Sequence, residues 1–183
     1  MLYIIAIVLG LAIGRLREGR LINLTRLRLK WLWLIPVALG IQLLIFPLFS
    51  GVVLVPYATA PLHLLSYAIL VVWLVANVRV RPVGVLLLGS ACNFAAIAAN
   101  GGYMPVSLPA LRQAGLGAAA DRLLDGDTVA NVIRMTEATR LNVLGDWLYL
   151  PAAVPLSTAF SIGDVVLMIG IAWLAAEGMT ADG

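Results

Sequence analysis

Two aspartates carry the sharpest chemistry in this sequence. Asp146 stands in Leu144-Gly-Asp-Trp147 and Asp164 in Ser161-Ile-Gly-Asp164, 18 residues apart in a chain with only 9 acidic side chains. Two carboxylates held close cannot both ionise comfortably, so one keeps a proton. One member of such a pair can act as base on water while the other acts as acid, the aspartic-protease arrangement. The separation is compatible with a loop that returns to bring them together. Each aspartate also has a structural reading. Ser161-x-x-Asp164 is close to a capping box, an acid in a first helical turn suits the helix dipole, and Asp146 after Gly145 would cap a local turn.

The binding candidates are His63, Asn93, Asn100, Gly101, Gly102, Tyr103 and Trp147. Asn93 and Asn100 are seven apart and share a helix face. Asn100-Gly-Gly102 reads equally as a helix stop, His63 as a hydrogen-bonded interfacial side chain, and Gln42 and Asn93 as interhelical hydrogen-bonders. One His and one Cys exclude a zinc site built from several such ligands, and a lone Cys92 excludes an intrachain disulfide. Gly115-Leu-Gly117 echoes a dinucleotide fingerprint without the strand that must precede it. Asp125-Gly-Asp127 breaks the calcium-loop spacing at Val129, and Asp127 reads instead as the N-cap of a following helix. No cofactor motif and no nucleic-acid module is present.

The elements that must position these residues are membrane spans. Of 183 residues, 62% are hydrophobic and 11% charged, and mean hydropathy is +1.03. Ordinary soluble domains are about 45–50% apolar and roughly 25% charged. A spanning helix needs about 20 apolar residues, and the sequence predicts an all-α membrane bundle of five, over 2–16, 31–48, 62–78, 83–100 and 161–177. Residues 31–78 hold no acidic or basic residue and are split by Pro47, Ser50, Gly51, Pro56 and Pro61. Gly10/Gly14 and Ala91/Ala95/Ala99 read as small-residue packing faces.

Charge gives an orientation. The pI of about 9.4 would suit a nucleic-acid binder only if position were ignored. Arg15, Arg17, Arg20, Arg26, Arg28 and Lys30 crowd one loop and Arg79 and Arg81 another, so the two loops net +7 against −1 for 101–160. Lys and Arg favour short cytoplasmic loops, so the expected topology has the N-terminus outside, the C-terminus inside and 101–160 as an outer segment. Within that segment, 128–144 is expected to form an amphipathic surface helix, and 141–160 a re-entrant or interfacial stretch. The polar residues then gather in the outer half, as an outward-facing polar cavity.

Two resemblances complete the reading. The basic stretch Gly19-Arg-Leu-Ile-Asn-Leu, Asn100-Gly-Gly-Tyr-Met-Pro-Val106, Leu144-Gly-Asp-Trp147 and Ser161-Ile-Gly-Asp164 resemble an uncharacterised family of bacterial multi-pass membrane proteins, a domain of unknown function. That resemblance implies a bacterial cytoplasmic membrane and supplies no activity. Phe160-Ser-Ile-Gly-Asp164 with Val-Val-Leu-Met-Ile-Gly170 is similar to the second-aspartate segment of lipoprotein signal peptidase, a membrane aspartyl protease. This second resemblance implies a catalytic dyad of Asp146 and Asp164 with Asn100 orienting substrate. The chain departs from that enzyme where Trp147 follows Asp146 in place of Arg, where Asn142 is offset, and where Asn-x-Gly follows the fourth span. Two functions stand: a membrane protein whose outer cavity binds a small molecule, lipid or partner, and an outward-facing aspartyl hydrolase. A transporter component is a third, weakened by polarity confined to one side and by the lack of a clear repeat.

Overall fold

A computed structural model describes residues 2–45 and 55–180. It is mostly helical. The helices are α1 (Leu2–Leu16), α2 (Leu34–Ile45), α3 (Thr59–Ala76), α4 (Arg81–Ala99), α5 (Leu108–Gln113), α6 (Gly117–Leu124) and α7 (Ile162–Thr180). Of these, α3, α4 and α7 are long and apolar enough to cross a membrane, while α1 and α2 are shorter apolar helices. The end expected for the second span, together with Pro47, Ser50 and Gly51, lies outside the described residues.

Packing order across the bundle is α1–α7–α4–α3–α2, with α7 at the centre of the first three. The glycines explain the intimacy. A Cβ at Gly10 would come within 2.8 Å of the Ala172 Cα, and one at Gly14 within 2.8 Å of the Met179 sulfur, so α1 lies backbone-close along α7. The small face of α1 is thus used inside the chain. On α4 the close approach is made by Gly89, whose added Cβ would sit 2.7 Å from the Gly163 carbonyl. The expected Ala91/Ala95/Ala99 face is not the packing face, since Ala91 is exposed while Gly89, Asn93 and Ala96 are buried. Close contact favoured the rows that carry glycine, because only a missing Cβ lets two backbones touch.

Large apolar side chains face outward along the bundle, among them Ile4, Val8, Ile13, Leu39, Leu65, Val72, Leu88 and Ile169. The two ends differ chemically. At one end the basic loops dock: the Arg20 and Asn23 amides donate to the Met179 carbonyl, and Asn77 exchanges hydrogen bonds with the backbone of Lys30. At the other end α1, α3 and α7 begin and α4 stops, and the segment between α4 and α7 covers them.

That segment folds differently from the expectation. No α-helix forms over 128–144. Val132–Arg134 is a strand, β2, paired in parallel with β1 (Met104–Val106). Residues 136–142 form a turn in which Thr136, Thr139 and Asn142 hydrogen-bond one another's side chains and backbone. The sequence has two reasons for this. Val129, Val132 and Ile133 are β-branched and stiff in a helix, and Thr and Asn side chains compete for helical backbone groups. Asp127 accordingly caps no following helix and lies 3.8 Å from Arg122 across a turn. Residues 141–160 hold a 3-10 turn (Asn142–Leu144) and a short antiparallel pair, β3 (Leu148–Tyr149) with β4 (Ala159–Phe160). Val106, Leu111, Ala120 and Leu123 form the segment's own small core.

Candidate functional site

Asp164 is built in by its own sequence. The Ser161 hydroxyl accepts from the Asp164 amide at 3.0 Å, and the Asp164 Oδ2 accepts from the Ser161 amide at 3.0 Å. This is the reciprocal capping box read from Ser161-Ile-Gly-Asp164. The cap leaves Oδ1 free to reach other helices. It accepts from the Asn93 side-chain amide of α4 at 2.9 Å and from the Tyr3 hydroxyl of α1 at 2.6 Å. One carboxylate therefore ties together the starts of α1 and α7 and the last third of α4.

The Ser161 hydroxyl has a single proton and two acceptors within reach, the Asn93 carbonyl at 2.8 Å and Asp164 Oδ2 at 3.0 Å. When it serves Asn93, one acceptor position on Asp164 is left open. An ionised carboxylate offers about four such positions, and Tyr3, Asn93 and the Ser161 amide occupy three.

Asp146 arrives from a different direction. Gly145 and Asp146 lie alongside β1, with the Asp146 amide donating to the Pro105 carbonyl at 2.8 Å and the Ser107 amide donating to the Asp146 carbonyl at 2.9 Å. Gly145 permits this, because an added Cβ would be 2.6 Å from the Pro105 oxygen. The side chain is the reverse of Asp164: its Oδ1 is buried and has no hydrogen-bond partner. Burial, and then the negative charge of Asp164, push the Asp146 carboxyl up from 3.8 to about 8. At neutral pH the pair is asymmetric, with Asp146 carrying a proton and Asp164 a charge. Tyr3 and Tyr67 lie close enough to feel both carboxylates.

This asymmetry has a consequence for stability. Between about pH 4 and pH 8 the folded chain holds a proton that the unfolded chain has released. Stability is therefore full below this window and falls as pH rises through it, by at most about 1.4 kcal/mol per unit. Thermal unfolding in detergent at pH 5 and pH 8 should show the loss, and Asp146→Asn, neutral throughout, should flatten it.

The other expected site residues are placed as follows. Asn93 on α4 joins Asp164 and Ser161, as the interhelical hydrogen-bonder it was expected to be. His63 is buried, its Nδ1 2.7 Å from the Gly102 carbonyl and its ring edge-on to Tyr67. Gly102 has φ +98° and abuts Ala60, so it seats the end of α4 against α3. Asn100 takes no hydrogen bond with either aspartate. Its amide donates to the Ala96 and Arg140 carbonyls at 2.8 Å and its oxygen accepts from the Arg140 amide at 2.9 Å. Asn100 is thus a clamp on the 136–142 turn. Asn100→Ala should cost about 1–3 kcal/mol and raise amide hydrogen exchange through that turn while leaving α4 protected. Trp147 is well exposed and its indole donates to the Val143 carbonyl at 2.9 Å. Gly101 and Tyr103 form the intervening turn.

Tyr3 and Tyr67 are the members that spacing did not single out. Tyr3 is 161 positions from Asp164. Its one available signal was being the only hydrogen-bonding side chain in the apolar run 2–14.

Beside Asp164 is a cavity of about 510 Å³, lined at its polar end by Tyr3, Asp164, Ser157 and Thr158. Leu2 and Phe160 line it too, and both also line an apolar groove of about 440 Å³ that runs on between α1 and α7 past Leu9, Met168 and Ile169. Among the described residues no three His, Cys, Asp or Glu side chains gather as a metal site.

No curated protein and no solved structure matches the chain. A family model does match, over residues 26–176. The matched stretch holds Asn93, Asp146, Ser161 and Asp164, that is, both carboxylates and two of the groups that fix Asp164, while Tyr3 lies before it. By this match, which takes in most of its length, the chain belongs to DUF5317, a family of unknown function.

Proposed function

We propose that this is a multi-pass protein of the bacterial cytoplasmic membrane that binds an amphiphile at its outer face. The head group would meet Asp164, Tyr3, Ser157 and Thr158, and the chain would lie in the groove between α1 and α7. The observation that carries this reading is that a cavity with one polar end and an apolar groove share Leu2 and Phe160 in their walls. The outward-facing apolar side chains support placement in lipid, and the basic loops at the far end support an outward orientation for the carboxylates.

The head-group chemistry follows from the polar end of the cavity. Asp164 is anionic and largely saturated with donors, so an anionic head is repelled. The Ser157 and Thr158 hydroxyls in the same wall are neutral hydrogen-bonding groups. A neutral, hydroxyl-bearing head suits both. Monomyristoylglycerol should therefore bind saturably to the protein in nanodiscs and raise its thermal midpoint, and lysophosphatidylglycerol should do so more weakly. Ser157→Trp, a loop substitution in the cavity wall, should abolish the shift while leaving the unliganded midpoint in place. Equal shifts in wild type and Ser157→Trp would rule this cavity out.

A second reading is favoured by one observation, the proton on Asp146 beside the charge on Asp164. An aspartyl hydrolase acting on a lipid-linked or acylated peptide would use that asymmetry. It needs a water to reach Asp164, for which at most one acceptor position is open. Release of peptide from an acylated peptide in proteoliposomes, lost in both Asp146→Asn and Asp164→Asn, would favour it over binding alone.

A further inference from the structure

A second cavity, of about 350 Å³, lies deeper in the bundle, bounded by α2, α3, α4 and α7, with Tyr3 standing between it and the carboxylate cavity. Its walls are mostly leucine and isoleucine, with Leu70, Leu86 and Ile171 among them. Two polar residues in the wall are anomalous. Trp73 and Ser90 are 4% and 0% exposed, and neither the Trp73 indole nitrogen nor the Ser90 hydroxyl has a hydrogen-bond partner. Buried polar atoms are normally paired, and each unpaired one costs about 1–3 kcal/mol. By contrast Gln42, in the same wall, is paired with Ser66 of α3 at 3.4 Å, which leaves the Trp73–Ser90 side as the part with spare capacity.

We propose that this cavity is a binding site for an uncharged, lipophilic molecule bearing a carbonyl, held by hydrogen bonds from Trp73 and Ser90. The chemistry sets the class. An indole N–H is a donor only, so the ligand must supply an acceptor, and a hydroxyl can donate to a second one. No carboxylate, ammonium or guanidinium lines the cavity, so nothing there would compensate a charged ligand. The size falls at the lower end of small-molecule sites, about 300–1,000 Å³, and suits one ring or one short acyl ester. Two sources share this chemistry: the ring carbonyls of a membrane quinone and the ester carbonyl of a lipid. The site is separate from the carboxylate pair and does not depend on the function proposed for that pair.

The test uses the full chain in nanodiscs, with a decyl-benzoquinone and dioctanoylglycerol as probes. A quinone seated beside Trp73 quenches its fluorescence, so the expected result is saturable quenching of a fraction of the emission. That fraction is missing in Trp73→Phe. Ser90→Ala should weaken the apparent affinity about tenfold, and Ser90→Leu, which fills the space, should abolish saturation. If dioctanoylglycerol raises the thermal midpoint and protects Trp73 from the quinone, with the same dependence on Ser90, the source is a lipid ester. Non-saturating quenching of equal extent in wild type, Ser90→Ala and Ser90→Leu, with no midpoint shift from either probe, would overturn the proposal and leave the two atoms to water alone.

Discussion

Asp164→Ala is expected to lower stability by about 3–5 kcal/mol, the largest loss for any single side chain at this end of the bundle. The carboxylate accepts from Tyr3, Asn93, the Ser161 amide and, in one setting, the Ser161 hydroxyl. Hydrogen bonds to a charged group contribute roughly 1.5–3 kcal/mol each, and stranded buried donors add their own desolvation cost. The sum is reduced because Tyr3 is 37% exposed and can find other partners. The loss is also topological, because the same group holds α1 and α4 to α7. Asp164→Asn keeps one oxygen but turns an amide toward at least one donor, so an intermediate loss is expected. Thermal unfolding in detergent, followed by circular dichroism, reads all three proteins. A loss under about 1 kcal/mol for Asp164→Ala would mean that the cluster does not hold these helices together.

The second large effect comes from a residue with no side chain. A Cβ at Gly163 would collide with the Asn93 side-chain oxygen and sit 2.9 Å from the Gly89 carbonyl. Gly163→Ala must therefore push α4 from α7 or displace Asn93 from Asp164 and Ser161. Overpacking of this kind costs about 1–3 kcal/mol, and the lost hydrogen bonds bring the expected total to about 3–4 kcal/mol. A double-mutant cycle isolates the cause. In Asn93→Ala the atom that the new methyl strikes is gone, so adding Gly163→Ala should cost at least about 1 kcal/mol less than it does alone. Strict additivity would place the damage at the Gly89 backbone and not at Asn93.

Much of this arrangement was legible in the sequence, for definable reasons. Helix positions followed from apolar run length, because in such a chain the run itself is the element. Asp164 was legible as a cap because Ser161 is three residues away, and local hydrogen bonds obey spacing. Gly10 and Gly14 were correctly read as a contact face. Their partner, α7, was not legible, because the contact joins the two ends of the sequence. Tyr3 was missed for the same reason. The 128–144 stretch was misread because its apolar residues fit a helical period, while β-branched side chains and the turn at Thr136–Asn142 favoured pairing with β1. Asn100 reads both as a helix stop and as a binding group, and the partner its side chain takes, the backbone of Arg140, is 40 positions away. That kind of use leaves no trace in residue spacing.

The central claim is that the two aspartates form an unequal pair, one protonated and one charged, at neutral pH. Infrared titration of the protein in lipid nanodiscs tests it directly, because a protonated carboxyl has a carbonyl stretch separate from that of carboxylates. The expected result is one protonated carboxyl at pH 7 that titrates near pH 8, is absent in Asp146→Asn, and titrates lower in Asp164→Asn, where the neighbouring charge is gone. A spectrum with no protonated carboxyl above pH 6, or one unchanged in Asp146→Asn, would contradict the claim.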